Sequence, residues 1–244
     1  VPHFARIPSR RAGRRPKALA AVPFAALVAL AAGCSPSHVP PTQDRARPAA
    51  VAAVASVATP VAAAARPGDA CSVELYGDSI LHGGYLGDRR LAETPAGALK
   101  RLRPRYRVVD RTVNGETASA RSASFAGEER SGRIVVIEHG LNDAMQGLPL
   151  ESALRAMIGH SRAEGRHVVL TGLSRTLVGA DVRARGDATV RRVARELAVP
   201  FADWGSVPVR PAEMADILHP AQAYSTRLVE HLVAVLDTLA PECV

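Results

Sequence analysis

The chain has 244 residues, room for one ordinary domain with a surplus, and 47% of them are hydrophobic, ample for a core. Its formal net charge of +8 invites a nucleic-acid reading, but Arg6, Arg10, Arg11, Arg14, Arg15 and Lys17 fall in residues 1–33 without an acid; 31 less these 6 leaves 25 basic residues against 23 acidic ones. With aromatic residues at 4% and no basic tract interleaved with them, nucleic acid is set aside as a partner.

Residues 1–33 have the layout of a secretory signal: a basic start, then the apolar run Ala18–Ala32, then small residues at the exit. The run is short for a spanning helix and Pro23 interrupts it, so a signal is expected in preference to a permanent transmembrane anchor. Its end, Leu30-Ala31-Ala32-Gly33-Cys34-Ser35, resembles a bacterial lipobox, in which the cysteine is lipidated and becomes the mature N-terminus. The departure is that Leu30 stands one position early, with Ala31 where the pattern prefers Leu. Ordinary cleavage to an unanchored periplasmic product is the alternative. Residues 34–70 are rich in Ala, Pro, Val, Ser and Thr, are punctuated by Pro36, Pro40, Pro41, Pro48, Pro60 and Pro67, and show no amphipathic period. They are expected to be a flexible tether.

From Cys71 the pattern changes to short β-branched runs alternating with longer amphipathic stretches. Strands are expected at Ser72–Tyr76, Arg107–Val113, Ile134–Glu138, His167–Thr171 and Pro200–Asp203. The run Ile134-Val135-Val136-Ile137 is apolar on both faces, as a central strand of a covered parallel sheet should be. Helices are expected at Pro95–Leu102, with Thr94 as N-cap and Pro95 in the first turn, at Leu150–Ala163 and at Val182–Leu197. A last helix is expected from Pro220 to about Leu239, where Leu228, Leu232, Val235 and Leu239 recur at three to four. Such alternation predicts a single three-layer α/β/α domain over 71–244, with a parallel sheet of about five strands in a flavodoxin-like arrangement.

Four short words occur in order along this domain: Gly77-Asp78-Ser79, Asn114-Gly115, Gly140-Leu141-Asn142-Asp143 and Asp216-Ile217-Leu218-His219. Three follow expected strands and the fourth precedes the last helix, so all sit where open α/β sheets bind ligands. A serine needs an adjacent base to become a nucleophile. Asp216 and His219, three apart, let a carboxylate accept from one ring nitrogen while the other faces Ser79. Order and spacing resemble the SGNH (GDSL-type) hydrolase family over roughly Ser72 to Leu239. The resemblance implies Ser79 as nucleophile, His219 as base, Asp216 as its orienting acid, and an oxyanion hole from the amides of Ser79 and Gly115 and the carboxamide of Asn142. Ile80 stands where the family's first block often has Leu, and the second block, Asn114-Gly115-Glu116-Thr117, is brief, so Gly115 is the least firmly placed member.

Each residue alone has a plainer reading. Ser79 by itself is a turn or N-cap serine, and Asp216 with His219 is a metal pair, although no second His or Cys cluster accompanies it. Asp78 and Asp143 are expected to brace their loops. His82, His139 and Arg175 lie near strand ends and are candidates for the pocket wall, while His160, His167 and His231 fall on element bodies. With Cys34 assigned to lipid, Cys71 and Cys243 remain as an even pair at the two ends of the domain, on the face opposite the motifs; a disulfide is expected, two free thiols being the alternative.

The expected protein is an exported, lipid-anchored serine hydrolase on the periplasmic side of a bacterial membrane. It would cleave a short acyl or acetyl ester through an acyl-enzyme, on a small ester or an acylated glycan or lipid, with no metal or organic cofactor. An O-acyltransferase using the same site and a catalytically silent binding lipoprotein are the alternatives.

Overall fold

The protein is described by a computed structural model covering residues 70–244. The expected signal at 1–33, lipidation at Cys34 and nearly all of the tether at 34–70 lie outside the described residues.

Five strands form one parallel sheet: β1 (Ser72–Gly77), β4 (Arg107–Asp110), β5 (Ile134–Glu138), β6 (His167–Thr171) and β7 (Phe201–Ala202), in the order β4-β1-β5-β6-β7. The chain leaves β1 for one neighbour, then crosses back to build outward on the other side, so the order reverses between β1 and β5. A small antiparallel hairpin, β2 (Gly84–Tyr85) with β3 (Arg89–Arg90), stands apart from the sheet. The helices are α1 (Ser79–His82), α2 (Pro95–Leu102), α3 (Ala118–Phe125), α4 (Leu141–Gln146), α5 (Leu150–Ala163), α6 (Ala180–Glu196) and α7 (Gln222–Leu239).

The period of two along each strand divides the core between two helical layers. Val73 and Leu75 of β1 and Ile134 and Val136 of β5 pack with Leu99 of α2 and with Leu228, Leu232 and Leu236 of α7. Tyr76, Val135 and Ile137 point the other way, into Phe125 of α3, Leu154 and Met157 of α5, and Val190 and Val193 of α6. Both β1 and β5 are buried along their whole length, and in β5 this accounts for the unbroken apolar run Ile134–Ile137.

The expected element bounds hold for β5, β6, α2 and α5. Thr94 caps α2, its hydroxyl accepting from the Gly97 amide, and Pro95 opens the helix. Elsewhere side-chain bonds shift the ends. β4 stops at Asp110 and not at Val113, because the Asp110 carboxylate accepts from the Thr112 amide and turns the chain. α7 starts at Gln222 and not at Pro220, since Pro220 is extended and bridges to Met214. Cys71 and Cys243 are joined in a disulfide, Cα atoms 5.5 Å apart across 172 residues of sequence. Closing a loop of that size contributes at most about 5 kcal/mol in the chain-entropy account. Among the described residues no helix is long and apolar enough to cross a membrane.

Candidate active site

The four sequence words meet at the carboxyl ends of the strands, at the point where strand order reverses. β1 delivers Ser79 as the first residue of α1, with Asp78 as its N-cap: the Asp78 carboxylate accepts from the Ile80 amide at 2.9 Å. The turn is tight because of what lies beneath it. A Cβ on Gly77 would come within 2.6 Å of the Glu138 carboxylate, so only glycine permits the approach of β1 to β5 there.

Ser79 Oγ lies 2.9 Å from His219 Nε2, although 140 residues separate them. On the far side of the ring, His219 Nδ1 lies 2.8 Å from Asp216 Oδ2. An ionised carboxylate only accepts, so Nδ1 carries the proton and Nε2 presents its lone pair to the serine hydroxyl. The loop holding the pair is bonded largely to itself, with the Leu86 amide also donating to Asp216 Oδ2 at 3.4 Å and the Leu177 amide to the Ile217 carbonyl at 2.9 Å. Asp216 Oδ1 accepts from the amides of Leu218 and His219 at 2.8 Å, and the Ala215 amide donates to the His219 carbonyl. Burial works to raise the Asp216 pKa, but those two amides and the bond from His219 outweigh it and hold the carboxyl below its ordinary range.

Opposite the imidazole, Asn142 projects from α4, immediately after β5. Its Nδ2 donates to the Glu116 carbonyl at 3.0 Å and to Asp78 Oδ2 at 3.2 Å. Both hydrogens are therefore engaged, and donation to a substrate oxyanion requires exchange of the longer bond. Gly115 lies across the same opening, in a turn with φ of +72° that disfavours any side chain. Together Ser79, Gly84, Tyr85, Gly87, Asn114, Gly115, Asn142, Leu218 and His219 line an open cleft of about 320 Å³.

Under the cleft floor sits an acidic pair. Glu138 is buried at the end of β5 and its Oε2 accepts from the Asp78 amide at 3.0 Å. Burial, reinforced by the adjacent Asp78 charge, pushes the Glu138 carboxyl well up; burial likewise pushes Asp78 up to about 6.

The other candidates separate clearly. Asp143 is buried, but it braces a neighbour more than its own turn: its carboxylate accepts from the amides of Ala118 and Ser119 and from the Ser119 hydroxyl, fastening α3 to α4. His82 bonds to Thr112 and His139 to Glu116, and neither lines the cleft. Arg175 is exposed and also lies outside the lining, and His160, His167 and His231 are exposed on their elements. The sequence reading missed Gly84, Tyr85 and Gly87, which wall the cleft from the hairpin. Their signal was present in Gly83-Gly84-Tyr85-Leu86-Gly87-Asp88, a turn-rich run between two short extended pieces.

Comparison with known proteins agrees with this architecture. The sequence matches the GDSL-like lipase/acylhydrolase family over residues 75–226. It is 32% identical to esterase TesA of Pseudomonas aeruginosa over 146 residues, 55% of this chain and 71% of that one. The crystal structure of TesA superposes with a TM-score of 0.56 at 29% identity, covering 69% of this chain and 99% of that one. The psychrotrophic esterase EstA from a Pseudoalteromonas species shares the fold with a TM-score of 0.59 at 15% identity, covering 69% of this chain and 98% of EstA. The chain belongs to the GDSL-like lipase/acylhydrolase family and is a carboxylic ester hydrolase.

Proposed function

We propose that the protein hydrolyses short acyl esters through an acyl-enzyme formed on Ser79. Ser79 Oγ attacks the ester carbonyl while His219 Nε2 takes its proton; Asp216 holds the ring and stabilises the imidazolium. The carbonyl oxygen, now negative, receives hydrogen bonds from the Ser79 and Gly115 amides and from Asn142 Nδ2, which turns from Asp78 to do so. Collapse expels the alcohol, which leaves with the proton from His219. Water, deprotonated by the same ring, then releases the acid and restores Ser79.

The observation that supports this most is the 2.9 Å approach of Ser79 Oγ to a ring whose other nitrogen is tied to Asp216. The open cleft of about 320 Å³ suits a small acyl group. A fluorophosphonate probe tests the reading: we expect one label, on Ser79, with loss of activity in proportion. An unlabelled Ser79 in active enzyme would refute it.

Export and anchoring complete the proposal: a signal over 1–33, lipid on Cys34, a tether over 34–70 and the hydrolase domain over 71–244, facing the periplasm. The basic start, apolar run and small exit residues support it. Mass spectrometry of membrane-extracted protein should find a lipidated Cys34 as the first residue. An unmodified N-terminus elsewhere would remove the anchor.

A further inference from the structure

Behind the oxyanion side of the cleft, a set of polar bonds converges on Glu116, which the proposed chemistry does not use. Its Oε2 accepts from His139 Nε2 at 3.0 Å and from Arg121 Nε at 2.9 Å, while its Oε1 lies 2.9 Å from Arg121 Nη2. His139 stands at the end of β5 with a side chain 0% exposed, and Arg121 comes from α3. Arg121 is itself fixed by Glu128 at 2.8 Å and by the Arg111 carbonyl at 3.2 Å, and it covers the Tyr76 ring. The Glu116 side chain therefore ties the loop to both β5 and α3.

The main chain of Glu116 faces the other way, into the site. Its carbonyl accepts one hydrogen of Asn142 Nδ2 at 3.0 Å, and its amide donates to the Val113 carbonyl at 3.2 Å. The second bond closes the turn that holds Gly115 at its positive φ. The two peptides that flank the Glu116 Cα thus set the orientation of the Asn142 carboxamide and of the Gly115 segment. His139 Nδ1 is buried without a partner, a cost that an apolar residue at the end of β5 would avoid.

We propose that Glu116, clamped by His139 and Arg121, is a positioning residue that places two of the three oxyanion donors, Asn142 and Gly115, in register with Ser79; this rests on the serine-hydrolase reading above. The carboxylate touches no reacting atom. Its effect passes through its own main chain, and a displacement of about an ångström in such donors costs up to roughly a hundredfold in rate.

The test measures kcat and KM on p-nitrophenyl acetate, with thermal melts, for Glu116→Ala and Glu116→Asp, and for Glu116→Ala in an Asn142→Ala background. Ser79→Ala serves as a control. Glu116→Ala should lower kcat by about 10- to 100-fold with KM changed little. Glu116→Asp keeps the charge but shortens the reach to His139, and should lower kcat by about tenfold even where the alanine variant does not fold. In the Asn142→Ala background the effect of Glu116→Ala should shrink, because one of the two donors it positions is already gone. A fall in melting temperature with kcat unchanged in both Glu116 variants, or full additivity with Asn142→Ala, would overturn the inference while an inactive Ser79→Ala left the serine reading standing. An active Ser79→Ala would overturn both.

Discussion

The two sides of the cleft are built on different principles. The base side is a short loop, Ala215–His219, whose bonds are mostly to itself: amides three residues or fewer away hold Asp216, and Asp216 holds His219. The oxyanion side is a convergence of distant segments. Asp78, Glu116, His139, Asn142 and Asp143, drawn from the segments that follow β1, β4 and β5, make bonds over 23 to 64 residues of sequence. One side concentrates chemistry in a local unit, the other spreads it through buried polar contacts. Substitutions on the first should therefore cost rate with little stability, and substitutions on the second should cost both.

The largest expected effect is on the local side. Ser79→Ala and His219→Ala should each lower kcat by roughly 10⁶-fold and their double variant by no more, because nucleophile and base act as a unit; Asp216→Ala should cost about 10⁴-fold. All three should melt within a few degrees of the parent. Clear unfolding in Asp216→Ala would show that the loop is not self-supporting. On the distributed side, Asn142→Ala should lower kcat by roughly 10²–10³-fold, about 3–4 kcal/mol of transition-state stabilisation. It should also reduce stability, since the Glu116 carbonyl and Asp78 lose a donor. Equal melting temperatures would blunt the contrast between the sides.

Asp143→Ala comes next and separates the two kinds of cost. Removal leaves the Ala118 and Ser119 amides without their acceptor, a loss of about 1–3 kcal/mol for each group that stays buried. Thermal melts should show it, while kcat per folded molecule should change by only a few-fold. A large fall in kcat at unchanged stability would assign Asp143 to the chemistry.

The smallest effect concerns pH. Asp78 and Glu138 bind protons in the fold that the unfolded chain has already released, because burial raises both. The stability they allow is complete below the unfolded value, near 3.8 for Asp78. It is lost as pH rises, through about 6 for Asp78 and through the raised value of Glu138. Asp216 has the opposite sign: its lowered pKa contributes stability that disappears as pH falls through the acid range. Glu138→Gln keeps an acceptor for the Asp78 amide and removes a titratable group. Its melting temperature should fall less steeply than the parent's as pH rises above the ordinary carboxylate range. An unchanged slope would show that Glu138 does not titrate in that window.

Much of the domain was legible before any fold was considered. β5 and α5 were bounded to the residue, because an unbroken β-branched run and a long 3.6-residue period are signals carried by neighbouring side chains. α3 was not seen. Ala118-Ser119-Ala120-Arg121-Ser122-Ala123-Ser124-Phe125 has almost no apolar stripe and is held by the Thr117 cap and by Asp143. Its helicity is a tertiary product. Asp216 and His219 were legible as a pair because their geometry is local; that Ser79 lies 2.9 Å from His219 was implied only by the family resemblance.

Sequence alone determined the layers, the position of three motifs after strands and of the fourth before the last helix, and the cysteine pair, since these follow from periodicity, turn chemistry and counting. Only the tertiary structure decided that Glu138 lies under Gly77, that Glu116 and His139 clasp behind Asn142, and that both Asn142 hydrogens are engaged. Those contacts join residues whose local sequence carries no period or spacing to link them. Their pairing is set by the packing of β1, β5 and α3 against one another, and burial then makes each pair exchange hydrogen bonds that water would otherwise supply.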